Sequence, residues 1–261
     1  MNNAARIWPL IDEARRALQH GTGAGIKVAV LDSGVEFGHQ FLEGASAADD
    51  LALDFEGNRL RVGEGGGRDT YGHGTAIAGI VHRIAPEAQI GSFRVFGQDL
   101  RSRTMIIRAA ALLAIERGYD IINCSFGCGR EDHVMFYKDW IDQAYLQERH
   151  IVAACNNKDF ARREWPGHFP TVITVNFQRC STPEEIHFRR GRLAEFSASG
   201  EDVVVAWLGG TIKKVTGSSF AVPHVTGLLA RLLSKSPGLS ALQAKALLAS
   251  LAQTDEPTSA Q

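Results

Sequence analysis

No apolar run among the 261 residues approaches the roughly 18–20 needed to cross a bilayer. The opening stretch, MNNAARIWPLIDEARR, also lacks the basic-then-apolar order of a secretion signal. Cysteine is scarce. Cys124, Cys128, Cys155 and Cys180 lie in apolar or strand-like stretches without paired metal-ligand spacing, which argues against a disulfide scaffold and for reduced thiols. Cys124 and Cys128 sharing a metal is the poorer reading. Charge of one sign is missing too: 28 Lys+Arg face 29 Asp+Glu, so no global field draws the chain to nucleic acid or to an anionic membrane. The expected compartment is the cytoplasm. With no internal repeat and no Pro- or Ser-rich linker, one large domain is simpler than two small ones. Hydrophobic residues at 44% and charged residues at 22% exclude a disordered chain. Glycine, at 27 residues, is the one enriched type against an average near 7%, and implies tight turns and close backbone approaches.

Short apolar runs alternate with helical patterns. Residues 26–31, 89–95, 120–124, 151–154 and, more weakly, 172–175 read as buried strands, while 104–117 and 134–149 space their apolar residues by three and four. That alternation predicts an α/β fold with a mainly parallel sheet covered on both faces, with ligand sites beyond the carboxyl ends of its strands. A long apolar helix is predicted over 219–235, with Pro223 in its first turns, and another over 241–251 after the Pro237-Gly238 turn. The polar last ten residues are expected to fray.

Three places concentrate chemistry. Asp32 directly follows the strand IKVAVL and precedes Ser33-Gly34; in isolation it would be a turn cap. His73 sits between glycines ahead of an apolar helical pattern, and an imidazole titrating near 6.5 suits proton transfer. Ser219, with Ser218 as a competing hydroxyl, lies between a glycine turn and a helix whose first amides face a developing negative charge; alone it would be an N-cap.

Taken together, the order Asp, His, Ser and the blocks VAVLDSGVE, GHGTAIAG and GSSFAVPHVTG resemble the three active-site blocks of the subtilisin-like serine proteases. Residues INCSFG (122–127) resemble that family's substrate-pairing edge strand, and VAACNN (152–157) its oxyanion segment. Likeness continues through 165–175 and 232–248, covering about residues 25–251. It implies the three-layer subtilisin-like fold. It divides the chain into an N-terminal segment (1–24), a catalytic domain (25–251) and a polar tail (252–261).

The resemblance implies roles position by position. Ser219 is the nucleophile, His73 the general base and Asp32 its orienter, with Asn156 and the Ser219 amide holding the oxyanion. The partner is a peptide or protein bound as an extended strand between Leu100, Arg101, Ser102 and Ser125, Phe126, Gly127, with Ala153, Ala154 and Cys155 beside it. Glu164 falls at the base of the pocket for the residue before the cut, where an acidic group favours Arg or Lys; its alternative is a solvated carboxylate paired with Arg162 or Arg163. Asp69 adds negative charge to the adjacent pocket. Cys155 replaces the family's usual glycine and is either a reactive thiol or an inert filler.

Several family features are missing. HGTAIAGIVHRIAPEA runs straight through where secreted members insert a calcium loop, and Phe41 stands where a ligand Asp is expected, so neither metal nor cofactor is implied. Some 24 residues precede the first strand, too few for a folding prodomain. The expected function is therefore a dedicated intracellular processing endopeptidase, with leader removal from ribosomally made peptides as one role. A non-catalytic binding module and a transpeptidase or macrocyclase are the alternatives.

Overall fold

The computed structural model describes residues 11–254. Strands are β1 (Lys27–Asp32), β2 (Ser46–Glu56), β3 (Arg59–Glu64), β4 (Gln89–Arg94), β5 (Ile121–Cys124), β6 (His150–Ala154), β7 (Ile173–Gln178), β8 (Ile186–Phe188), β9 (Phe196–Ser199), β10 (Val203–Trp207), β11 (Thr211–Val215) and β12 (Gln253–Thr254). Helices are α1 (Ile11–His20), α2 (His73–Ile84), α3 (Thr104–Glu116), α4 (Val134–Leu146), α5 (Ser218–Lys235) and α6 (Ala241–Leu251). Ten strands form one sheet in the order β12-β8-β9-β7-β6-β5-β1-β4-β2-β3, and β10 and β11 form a separate antiparallel ribbon. The centre, from β7 to β2, is wholly parallel, which is why its strands read as continuous apolar runs.

Along β1 the side chains alternate between two cores. Val28 and Val30 pack with α1, α2, α5 and α6, whereas Ala29 and Leu31 pack with α3 and α4. The result is the three-layer α/β arrangement. β1 is flanked by β4 and β5, so connections diverge at its carboxyl end and leave a crevice there.

Two helices converge on that crevice, and small residues bring them close. At Gly227 of α5 a Cβ would lie 2.6 Å from the Cβ of Ile84 in α2, so the two axes meet at a distance only glycine permits. Pro223 has a specific consequence for α5. It lacks the N–H that would bond the Ser219 carbonyl four residues back. The Ser125 hydroxyl, just beyond β5, donates to that carbonyl instead at 2.9 Å. Asn123 Nδ2 donates to the Ser125 hydroxyl (3.0 Å), and Thr226 of α5 donates to Asn123 Oδ1 (2.8 Å). This buried polar chain pins the start of α5 to the end of β5.

The two chain ends carry structure that the sequence reading leaves out. Of the 1–24 segment, Ile11–His20 is helical and buries Ala14 and Ala17 in the same core as α5; residues 1–10 lie outside the described residues. Of the expected frayed tail, Gln253–Thr254 pairs in parallel with β8, and residues 255–261 lie outside the described ones.

Candidate active site

Asp32 ends β1 with its carboxylate 1% exposed. Both its oxygens face His73 Nδ1, at 2.8 and 2.9 Å, and Oδ1 also accepts the Ser33 N–H at 2.8 Å. The imidazole is therefore held in the tautomer that carries its proton on Nδ1 and leaves Nε2 as an acceptor. His73 opens α2, and the approach requires glycine: a Cβ on Gly74 would stand 2.1 Å from the Gly34 carbonyl oxygen, and Gly34 itself has φ +106°. Burial disfavours the imidazolium, but the Asp32 charge and hydrogen bond, with Asp69 behind them, outweigh it and raise the His73 pKa above 6.5.

Ser219 lies in the first turn of α5. The two adjacent hydroxyls are separated by their surroundings. Ser218 is fully buried and donates to the Cys155 carbonyl at 2.8 Å, while its N–H bonds Asn157 Oδ1. Ser219 lines the same cleft as His73, and its hydroxyl donates to the Ser125 carbonyl at 3.0 Å. Phe220, next in the helix, lays its ring 5.2 Å from the His73 imidazole. The cleft holds about 460 Å³ and is walled by Leu100, Arg101 and Ser102 on one side and Ser125, Phe126 and Gly127 on the other. Leu100 turns its wall at φ +55°.

A second, smaller recess of about 270 Å³ opens beside Ser219 between Phe126-Gly127 and Ala154-Cys155-Asn156, with Glu164 and, not ion-paired to it, Lys158 in its lining. The Glu164 segment is fastened across from Gly127 by paired backbone hydrogen bonds between Cys128 and Trp165, both 2.9 Å. A Cβ at Gly127 would meet Glu164 Oε2 at 2.6 Å, so glycine here keeps the recess open to the carboxylate. Glu164 Oε1 accepts Asn156 Nδ2 at 2.7 Å, and among the described residues the carboxylate makes no ion pair. The expected alternative partner Arg162 lies over Gly129. Cys155 is 7% exposed, and burial pushes its thiol up to about 12, which leaves it protonated and inert at neutral pH.

Two expectations change. Asp69 does not face a substrate pocket. It is 7% exposed and spends both oxygens on five donors: the Ser33 hydroxyl, the Tyr71 and Gly72 amides, and the Thr75 amide and hydroxyl. It braces the start of α2 against the loop after β1, a role hidden in sequence because its partners come from two separate segments. Ala153 is fully buried in the α3/α4 core and does not line the recess. Phe41, at the position of the expected metal ligand, packs edge-on to His39. Among the described residues Cys180, Glu185 and His187 bring donor atoms within 4.8 Å of one another near the sheet margin, where Glu185 and His187 already hydrogen-bond.

An Asp-fixed imidazole, a hydroxyl in the same cleft and an amide beside it form an arrangement for acyl transfer. The profile of the Subtilase family matches residues 23–261. This chain belongs to that family. It is 28% identical over 257 residues to subtilisin DY of Bacillus licheniformis, covering 94% of this chain and 89% of that one. It is 31% identical to alkaline protease 1 of Aspergillus oryzae, over 79% of this chain but 51% of the relative. Among solved structures, a cold-adapted subtilisin-like serine proteinase superposes with TM-score 0.70 at 22% identity, covering 88% of this chain and 83% of that one. The prenylagaramide maturation protease PagA does so with TM-score 0.66 at 24% identity, over 87% and 81%. This subtilase is accordingly a subtilisin-like serine endopeptidase with the three-layer fold of those neighbours. No helix among the described residues of this subtilase is long and apolar enough to cross a membrane.

Proposed function

We propose that Ser219, His73 and Asp32 carry out the peptide hydrolysis of this subtilase, with Asn156 and the Ser219 backbone N–H as oxyanion donors. The observation that supports this assignment is that the Asp32-oriented imidazole and the Ser219 hydroxyl line one cleft. An extended substrate segment lies between the Leu100–Ser102 and Ser125–Gly127 walls and presents its carbonyl carbon to Ser219. The hydroxyl turns from the Ser125 carbonyl toward His73 Nε2, a rotamer change that costs little. His73 takes the proton as Oγ bonds the carbonyl carbon, and Asp32 stabilises the imidazolium. The oxyanion forms between Asn156 Nδ2 and the start of α5, where the helix dipole favours negative charge. His73 then returns the proton to the leaving amine, and water repeats the sequence on the acyl-enzyme.

The residue before the cut enters the recess that ends at Glu164, which favours Arg or Lys: an unpaired carboxylate there receives a guanidinium bidentately. The substrate is a flexible segment, and the biological role is dedicated processing inside the cell, such as removal of a peptide leader. A maturation protease shares the fold, so the scaffold accommodates that role. The test of the nucleophile is Ser219→Ala. Its turnover of a peptide anilide falls roughly 10⁶-fold, the loss subtilisin suffers without its serine; a fall of less than 100-fold would place the nucleophile elsewhere.

A further inference from the structure

The contact between Glu164 and Asn156 joins two parts of the site that act at different moments. One binds the side chain before the cut; the other meets the oxyanion. We infer that Glu164 reads the charge of that side chain in the chemical step as well as in binding, by acting on the Asn156 amide. The inference rests on the roles proposed above for Asn156 and for the recess.

The amide's orientation is fixed by its own loop. Asn156 Oδ1 accepts the backbone N–H groups of Lys158 and Asp159, each at 2.9 Å, so Nδ2 must be the end that faces the recess. One of its two hydrogens goes to Glu164 Oε1 at 2.7 Å, and the other is left for an oxyanion. A carboxylate on the first hydrogen feeds electron density to the nitrogen and makes the second a weaker donor. The carboxylate's negative charge thus weakens the one donor this side chain offers the oxyanion, and so opposes the transition state.

A guanidinium or ammonium entering the recess cancels that charge. The hydrogen bond to Asn156 keeps the amide aimed, while the penalty on the oxyanion disappears. A neutral side chain leaves the penalty in place, and a non-basic peptide is bound but turned over slowly. Glu164 is thus a positioning and specificity residue. No covalent step is added, and the selectivity appears in kcat.

The experiment uses matched peptide anilides ending in Arg or in citrulline, the neutral isostere, so that shape is constant and only charge differs. For the unaltered enzyme, kcat for Arg exceeds that for citrulline by about tenfold or more, over and above any difference in KM. In Glu164→Gln, which keeps an acceptor for Asn156 and loses the charge, the two kcat values converge, and citrulline is turned over faster than by the unaltered enzyme. In Asn156→Ala, kcat falls about 10²–10³-fold for both, the kcat ratio collapses toward one, and the KM ratio persists. Equal kcat values with different KM in the unaltered enzyme would overturn the coupling yet leave the basic preference standing. So would a kcat ratio that survives in Asn156→Ala. Equal kcat/KM for the two peptides, or no cleavage of the Arg peptide, would overturn the basic preference itself. The first comparison needs no variant, and thermal melts of the two variants establish that they are folded.

Discussion

At the residue scale, charge and burial decide what each polar group of the site does. His73 and Cys155 are both buried, and burial alone would drive each toward its neutral form. For His73 the Asp32 carboxylate reverses the outcome and raises its pKa above 6.5. As the proposed base, His73 acts only when neutral, so kcat/KM is expected to rise with pH along an acid limb whose midpoint lies above 6.5 in a pH–rate profile on a neutral-ended peptide; a midpoint below 6.5 would mean burial dominates. Fold stability carries the opposite sign. The pair's contribution is complete below the unfolded value and is lost as pH rises through the folded one. At Cys155 burial prevails over the backbone and Ser218 hydrogen bonds that oppose it, and Glu164 adds to it. Iodoacetamide at neutral pH therefore leaves activity unchanged over a period that consumes an exposed thiol, and mass spectrometry finds Cys155 unmodified.

At the scale of elements, the site is made by how two helix starts meet two strand ends. Gly34 and Gly74 let α2 begin against the loop after β1 closely enough for His73 to reach Asp32. Gly74→Ala forces the added Cβ against the Gly34 carbonyl, so His73 shifts. Since a misplacement of about 1 Å costs about 10²-fold, kcat/KM drops at least tenfold, with a lower melting temperature; unchanged kinetics would show that the approach is not tight. Glycines flanking the histidine are visible in sequence, and so is Pro223. What Pro223 does is not. The freed Ser219 carbonyl finds its donor in Ser125, which is braced by Asn123 and Thr226, and these four residues come from two segments about 100 apart. Local pattern carries no trace of such a meeting. The same holds for Asp69, which reads as a loop acid and is a buried brace.

At the scale of the whole molecule, the inner sheet was readable because strands buried on both faces are written as unbroken apolar runs. Elements at the margins were not. β2 and β3 form a hairpin in which β2 turns Leu51, Leu53 and Phe55 to the core while β3 is exposed throughout, so the pair carries short alternation in place of an unbroken apolar run. The β10–β11 ribbon and the short β8 and β12 owe their form to neighbours distant in sequence. The segments that carry Asp32, His73 and Ser219 were legible because each is a compact block, whereas the Asn156–Glu164 contact required the fold to bring a loop acid onto an amide. That contact and the cleft place all the proposed chemistry at the carboxyl ends of β1, β5 and β6, where the parallel sheet leaves its crevice. The imidazole fixed by Asp32 is proposed to activate Ser219 there, and not its neighbour Ser218. Treating the folded protein with a fluorophosphonate probe and mapping the adduct by tandem mass spectrometry separates the two. Stoichiometric labelling is expected at Ser219, abolished in His73→Ala. An adduct on Ser218, or no adduct at all on the folded protein, would contradict the proposal.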